Sequence, residues 1–89
     1  MNFDKLDSSH IFSLKNKVTI VAGASKGIGL AISEGFKENG AFVIGLSRQK
    51  NNSNCFDLYF ECDVTNKNDL NEVNKTLRQK NIYLDILVY

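Results

Sequence analysis

The sequence has no proline and no tryptophan, and it contains only one histidine and two cysteines among 89 residues. Cys55 and Cys62 lie in one short stretch, whereas His10 is near the amino terminus. A set of metal ligands at the usual spacing cannot be assembled from these three residues. We therefore expect two free thiols, with Cys62 packed as a small apolar residue, and a solvated His10.

An excess of charge and a long apolar run are also missing. Eleven basic and ten acidic residues give a net charge of +1, which provides no strong field to attract nucleic acid or an anionic membrane. The longest uncharged apolar stretch, residues 18–25, is far shorter than the ~20 residues of a membrane-spanning helix. Residues 1–10 carry acids and no apolar signal-peptide core. We expect a cytoplasmic protein that binds neither nucleic acid nor membranes.

The remaining composition is that of a globular domain. Hydrophobic residues make up 43% of the chain and charged residues 24%, and a chain of this length forms at most one domain. We expect residues 1–15 to form an amino-terminal tail, in which Ile11, Phe12 and Leu14 pack against the domain. Residues 16–89 are expected to form the folded unit.

Four segments have the character of buried β-strands, because each is a short and largely continuous apolar run rather than an alternating one. These segments are residues 18–22, 41–46, 58–62 and 83–89. The polar link at residues 47–57 is too short for a full crossover helix, so we expect a loop or a single turn there.

Two further segments carry apolar residues at helical spacing. The first contains Ile28, Ala31, Ile32 and Phe36, and the second contains Leu70, Val73 and Leu77. Gly40 fits the position just beyond the end of the first helix. Thr65 or Asn66 is predicted to cap the second, with Asp69 in its first turn. The resulting order β-α-β-β-α-β predicts an α/β fold with a parallel sheet, right-handed crossovers and helices on its faces.

The segment "AGASKGIG" at residues 22–29 joins the first strand to the first helix. We expect Gly23 to allow a tight turn after the strand, Gly27 to let a ligand approach the backbone closely, and Gly29 to let the helix pack closely on the sheet. The helix amino terminus that follows would attract an anion. Taken alone, the segment fits both a phosphate-binding loop and an ordinary strand-to-helix turn.

The end of the second strand distinguishes these two interpretations. In dinucleotide-binding folds an acid ~20 residues beyond the glycines binds the ribose hydroxyls, whereas an arginine accommodates a 2′-phosphate. Here no carboxylate lies between residues 38 and 57, and Ser47 and Arg48 follow the strand. We expect Arg48, Lys26 and the hydroxyls of Ser25 and Ser47 to converge on one phosphate.

Four motifs in this order, "AGASKGIG", "SR", "CDVT" and "LDILV", resemble the short-chain dehydrogenase/reductase family across about residues 15–89. The first family motif is T-G-x-x-x-G-I-G, to which Gly23, Gly27, Ile28 and Gly29 correspond, while Ala22 replaces the threonine. The missing hydroxyl would leave the turn looser.

The resemblance implies further cofactor contacts. Asp63 would accept a hydrogen bond from the adenine amino group, and Val64 would contact the ring. Lys26 and Arg48 occupy the two positions at which the family carries basic residues when it uses NADP(H). The fold implied is an incomplete Rossmann-like, doubly wound parallel sheet of order 3-2-1-4, with residues 16–89 as the amino-terminal part of the domain and a cofactor crevice where the strand order reverses.

The family's catalytic serine and Tyr-x-x-x-Lys have no counterpart here, since Tyr59 and Tyr83 are followed four positions later by Asp63 and Leu87. We therefore expect no catalytic residue and an inactive fragment. The full-length enzyme would transfer hydride between NADP(H) and a small carbonyl or alcohol substrate, and it alone is expected to form a homo-oligomer. Alternatives are a non-catalytic NADP-binding regulatory or redox-sensing module, an epimerase-type relative, and a methyltransferase-like protein.

Overall fold

A computed structural model describes residues 14–51 and 53–88, which form one parallel sheet with two helices. The elements are β1 (Val18–Ala22), α1 (Gly27–Glu38), β2 (Phe42–Ser47), β3 (Leu58–Glu61), α2 (Lys67–Gln79) and β4 (Ile86–Val88). The strand order is β3-β2-β1-β4, and all three pairings are parallel. The predicted α/β class, Rossmann-like topology and strand order are confirmed.

The sheet is covered on both faces. The β1–α1–β2 unit moves across the sheet in one direction and β3–α2–β4 in the other, so right-handed crossovers place the two helices on opposite faces. On the α2 face, Val73 and Leu77 pack in a core cluster with Ile20, Ile44 and Leu46. Burial of apolar side chains such as these is the dominant favourable term in folding.

The link between β2 and β3 contains no helix among its described residues, as predicted. The rings of Phe56 and Tyr59 instead pack together, with centroids 5.0 Å apart. Both rings lie against β2 at Gly45, where a Cβ atom would come within 2.7 Å of each ring. Asp57 secures the return of the chain, because its carboxylate accepts the Val43 N–H at 2.7 Å.

The fourth strand is shorter than predicted. It begins at Ile86 rather than at residue 83, and the side chain of Tyr83 is 76% exposed. Before the strand starts, the Asp85 carboxylate accepts the Val18 N–H at 2.8 Å and the Asp85 N–H donates to the Val18 carbonyl at 2.9 Å. At this edge a carboxylate therefore takes the place of one backbone acceptor, beside an ordinary backbone hydrogen bond. The predicted boundaries of β2 and β3 differ from the observed ones by one residue.

Not every apolar residue at helical spacing faces the core. Ile28, at the start of α1, is 80% exposed, and Ala31 is exposed as well. In α2, Leu70 is exposed whereas Val73 and Leu77 are buried. Ile28 and Leu70 both lie in the first turn of their helix.

The predicted tail at residues 1–15 falls almost entirely outside the described residues, and so do Ile11, Phe12 and His10. Leu14 is described and half-buried, and its N–H donates to the Asn39 carbonyl at the end of α1 at 2.8 Å. Among residues 14–51 and 53–88, neither helix has the length and apolar character needed to cross a bilayer.

Candidate functional site

The carboxyl ends of β1, β2 and β3 meet at one edge of the sheet, and the residues that follow them surround a cavity of about 790 Å³. The lining residues are Gly23, Ser25, Lys26, Leu46, Ser47, Arg48, Gln49, Cys62, Asp63, Val64 and Thr65. A cavity of this size lies within the ~300–1,000 Å³ range of small-molecule and cofactor sites. Seven of the ten residues predicted to bind a cofactor line it.

The remaining three predicted residues, Gly27, Ile28 and Gly29, form the first turn of α1. Gly23 and Gly27 have φ angles of +71° and +62°, a conformation that residues with a side chain rarely adopt. A Cβ atom at Gly29 would lie 2.9 Å from the carbonyl carbon of Gly23 and closer still to its oxygen. The glycine turn therefore folds directly onto the start of the helix.

The amino terminus of α1 is left open by its own side chains. Lys26 is the N-cap residue, its side chain makes no capping hydrogen bond, and the first turn contains no acidic residue. The first N–H groups of a helix lack partners within the helix, and the helix dipole places partial positive charge at this end. This terminus can therefore receive an anion through its N–H groups.

Two serines join the glycine turn to the end of β2. The Ser47 hydroxyl donates to the Ser25 hydroxyl at 3.0 Å. Lys26 follows one serine and Arg48 the other, and both cations are exposed at the rim of the same cavity. Neither belongs to the ion pairs found among the described residues.

Asp63, which follows β3, presents an ionised carboxylate to the cavity. Its Oδ1 accepts hydrogen bonds from the Thr65 hydroxyl at 2.6 Å and the Thr65 N–H at 2.9 Å. These two bonds, and after them the charge of Arg48, hold the pKa of Asp63 below its usual value. Its Oδ2 has no hydrogen-bond partner among the described residues, so one carboxylate oxygen is available to a ligand.

The amino terminus of α2 is closed by side chains. Asn66, one of the two predicted alternatives, is the N-cap, and its Oδ1 accepts the N–H groups of Asn68 at 2.9 Å and Asp69 at 3.2 Å. The Asp69 carboxylate in the first turn accepts the Asp63 N–H at 2.9 Å. These contacts hold the backbone of Asp63 in place beside the cavity.

Cys62 lies at the floor of the cavity and is only 2% exposed. Burial, and then the nearby charges of Asp69 and Asp63, raise the pKa of its thiol. It packs with the core as a neutral side chain, as predicted, and both cysteines are free. Across the part of the chain that the structure describes, no three His, Cys, Asp or Glu residues are grouped as a metal site.

Sequence reasoning missed some of the lining residues. Gln49 and Thr65 line the cavity, and Asn51 donates a hydrogen bond from its amide to the Ser25 carbonyl at 2.6 Å. The spacing Asp-x-Thr, typical of an Asx turn, is a local signal that predicts the Thr65 contact. The Asn51 contact joins two segments distant in sequence, and no local pattern indicates it.

Two curated proteins are similar to this chain. An NAD-dependent glycerol dehydrogenase from Listeria innocua is 32% identical over 96 aligned residues, which cover 98% of this chain and 36% of that protein. A 3-oxoacyl-(acyl-carrier-protein) reductase from Vibrio cholerae is 35% identical over 83 residues, which cover 85% of this chain and 34% of that protein. The chain spans about a third of the length of these relatives.

Solved structures share the fold. A short chain dehydrogenase from Leptospira borgpetersenii with bound NAD+ superposes with a TM-score of 0.78 at 27% identity, over 91% of this chain and 32% of that one. A ligand-free aldohexose dehydrogenase from Thermoplasma acidophilum superposes with a TM-score of 0.75 at 36% identity, over 83% of this chain and 29% of that one. A 4-hydroxyisoleucine dehydrogenase complexed with NADH superposes with a TM-score of 0.73 at 26% identity, over 81% of this chain and 32% of that one.

The family described as short chain dehydrogenase matches residues 17–89 of this chain, from the residue before β1 onward. The match includes the glycine turn, the end of β2 and the segment after β3, which together form the cavity. The protein therefore belongs to the short chain dehydrogenase family.

Proposed function

We propose that this chain is the cofactor-binding portion of an oxidoreductase that transfers hydride between NADP(H) and a small carbonyl or alcohol substrate. Membership of the family supports a nicotinamide cofactor, and the two curated relatives are a dehydrogenase and a reductase. The glycerol dehydrogenase is NAD-dependent, and two of the similar structures contain NAD+ or NADH. The preference for the phosphorylated cofactor is inferred from residues of this chain.

The residues present fit a dinucleotide. A Cβ atom at either Gly23 or Gly27 would meet nothing within 4 Å, so the surface of the glycine turn is open to a ligand. The open amino terminus of α1 would hold the pyrophosphate through its N–H groups. Asp63 would accept the adenine amino group through Oδ2, and Val64, at the cavity wall, would contact the adenine ring.

The contact between Ser25 and Ser47 carries the NADP(H) assignment, because it joins the two segments that bear Lys26 and Arg48. The end of β2 carries no carboxylate to bind a free ribose hydroxyl and repel a phosphate there. A charge-assisted arginine–phosphate contact contributes about 1.5–3 kcal/mol. Lys26 adds a second cation, and the two serine hydroxyls supply neutral donors.

The chain's own part in the reaction is binding and orientation. When bound, the nicotinamide cofactor supplies the hydride, and the adenosine half held here fixes where the other half lies. Tyr59 and Tyr83 are followed four positions later by Asp63 and Leu87 rather than by lysine, so we assign no catalytic role to either tyrosine. Residues 16–89 are proposed as the amino-terminal part of the Rossmann domain, and we expect a homo-oligomer only for the full-length enzyme.

Titration with NADP+ and NAD+ tests the proposal, with calorimetry reporting the two dissociation constants. The protein should prefer NADP+. Arg48→Ala should weaken NADP+ binding by roughly tenfold to a hundredfold and leave NAD+ binding nearly unchanged, and Lys26→Ala should act in the same direction. Lys50→Ala is the matched control, because Lys50 is an exposed cation outside the cavity. Equal affinity for the two cofactors, or an Arg48→Ala variant that binds NADP+ normally, would refute the assignment.

A further inference from the structure

Asn51 makes two contacts that the binding of a cofactor does not by itself require. Its side-chain amide donates from Nδ2 to the Ser25 carbonyl and accepts at Oδ1 from the Ser53 N–H, each at 2.6 Å. One contact needs a donor and the other an acceptor, so the orientation of the amide is determined by its partners. The side chain is half-buried between the loop after β2 and the glycine turn.

The segment that carries Arg48 is therefore held to the same residue at both ends. Ser47, at its start, donates to the Ser25 hydroxyl at 3.0 Å, and Asn51, at its end, donates to the Ser25 carbonyl. Between these ends, the Gln49 carbonyl accepts a hydrogen bond from the Tyr59 hydroxyl. Ser25 immediately precedes Lys26, so this arrangement couples the backbone positions of the two cations.

We propose that Asn51 is a positioning residue that sets the spacing between Arg48 and Lys26 and thereby the selectivity of the cavity for a 2′-phosphate. This inference rests on the proposed binding of NADP(H). Asn51 does not line the cavity, so it acts through the backbone of Ser25 and through the segment 47–51.

The physical reason is the cost of ordering an exposed arginine on a loop. Immobilising a long side chain and its backbone on binding reduces affinity, and holding the segment in place beforehand avoids part of that cost. Ser47 secures only the end of the segment that leaves the sheet. Without Asn51 the carboxyl-terminal end of the segment 47–51 would be released. The phosphate would then have to order that end of the segment as well as the Arg48 side chain. NAD+ lacks the 2′-phosphate, so its affinity should depend far less on this contact.

The test compares Asn51→Leu with Asn54→Leu. Leucine removes both hydrogen bonds of Asn51 at similar volume, whereas Asn54 is exposed and its side chain forms no hydrogen bond among the described residues. Asn51→Leu should raise the dissociation constant of NADP+ about fivefold to tenfold and that of NAD+ less than about twofold. Added to Arg48→Ala, it should cause no further loss, because the phosphate contact is already absent.

A second readout needs no cofactor. Trypsin cleavage after Arg48 and Lys50 in the free protein should become faster in Asn51→Leu but not in Asn54→Leu. Should Asn51→Leu fail to fold by circular dichroism, Asn51→Asp retains the acceptor for Ser53, removes the donor to Ser25 and adds one negative charge. Asn54→Asp is then its charge-matched control.

The outcomes separate this inference from the proposed function. If Arg48→Ala weakens NADP+ binding but Asn51→Leu does not, the positioning role is overturned and the proposed function stands. Equal losses for NADP+ and NAD+ in Asn51→Leu would also overturn it, since they indicate a purely structural contact. If the unaltered protein binds both cofactors equally, the proposed function fails, and a role for Asn51 in phosphate selectivity fails with it.

Discussion

The two strand-to-helix junctions at the cavity edge use opposite means to begin a helix. At the start of α2, the Asn66 side chain accepts hydrogen bonds from two N–H groups of the first turn, and the Asp69 carboxylate accepts one from the Asp63 N–H. At the start of α1, the N-cap Lys26 makes no side-chain bond and the first turn has no acid. The side chains at the α2 junction accept hydrogen bonds from N–H groups of its first turn, whereas those at the α1 junction leave the N–H groups of its first turn without a side-chain acceptor.

The difference supports the proposal that the α1 junction binds the cofactor and the α2 junction supports the cavity wall. N–H groups that already donate to capping side chains stabilise the helix but are not available to bind a ligand. The α2 junction therefore fixes Asp63 at the cavity wall, while the α1 junction, with a cation in place of an acid, fits the phosphate site that we propose. A parallel sheet brings both junctions to the same edge.

The largest change in stability is expected at the start of α1, where the glycine turn packs against the first turn of the helix. Gly29→Ala would force a Cβ atom against the Gly23 carbonyl, and we expect it to lower the free energy of unfolding by about 3 kcal/mol or more. In Gly35→Ala the new Cβ meets nothing within 4 Å, so this control should be about 0.5–1 kcal/mol more stable than the unaltered chain. Chemical denaturation measures both, and equal changes in the two variants would disprove the close packing.

Removing the cap residue of each helix should sharpen the contrast. Asn66→Ala deletes the acceptor of two N–H groups, so we expect the free energy of unfolding to fall by about 1 kcal/mol. Lys26→Ala deletes no capping bond and should change it by less than about 0.5 kcal/mol. Thermal or urea unfolding reports both values. A larger loss in Lys26→Ala than in Asn66→Ala would reverse the assignment of the two junctions.

The smallest effect concerns the ionisation of Asp63. The folded pKa of Asp63 is lowered, so its contribution to stability is present above the unfolded value of about 3.9 and is lost as the pH falls through the folded pKa. Thr65→Val removes the largest cause of this shift and should raise the pKa. An NMR titration of the carboxyl carbon measures it, with Thr76→Val as a control whose hydroxyl bonds only within α2. An unchanged pKa in Thr65→Val would show that another group is responsible.

Much of the fold was predictable because apolar periodicity reports burial directly. Residues 19–21 at the centre of β1 and the pair Val73 and Leu77 are buried as expected. The differences occur in the exposed first turn of a helix, as at Ile28, and where a side chain takes the place of a backbone acceptor, as at Asp85. Apolar periodicity predicts neither situation, because it treats a helix or strand as covered along its whole length.

The site was predictable to the extent that its signals are local. Lys26 and Arg48 lie beside predicted strand ends, and parallel strands bring such ends together. The contact from Asn51 to Ser25 joins an irregular loop to a turn 26 positions earlier in the sequence, and no local pattern reports a contact between segments so far apart.

Backbone amide NMR during titration with NADP+ compares the two junctions most directly. The N–H signals of Gly27, Ile28 and Gly29 should shift strongly on binding, because the donors of the open junction gain an anion. Those of residues 67–69 should move little, because Asn66 already occupies the donors of Asn68 and Asp69. Shifts at residues 67–69 as large as those at 27–29, or none at 27–29, would contradict the assignment of the glycine turn as the phosphate site.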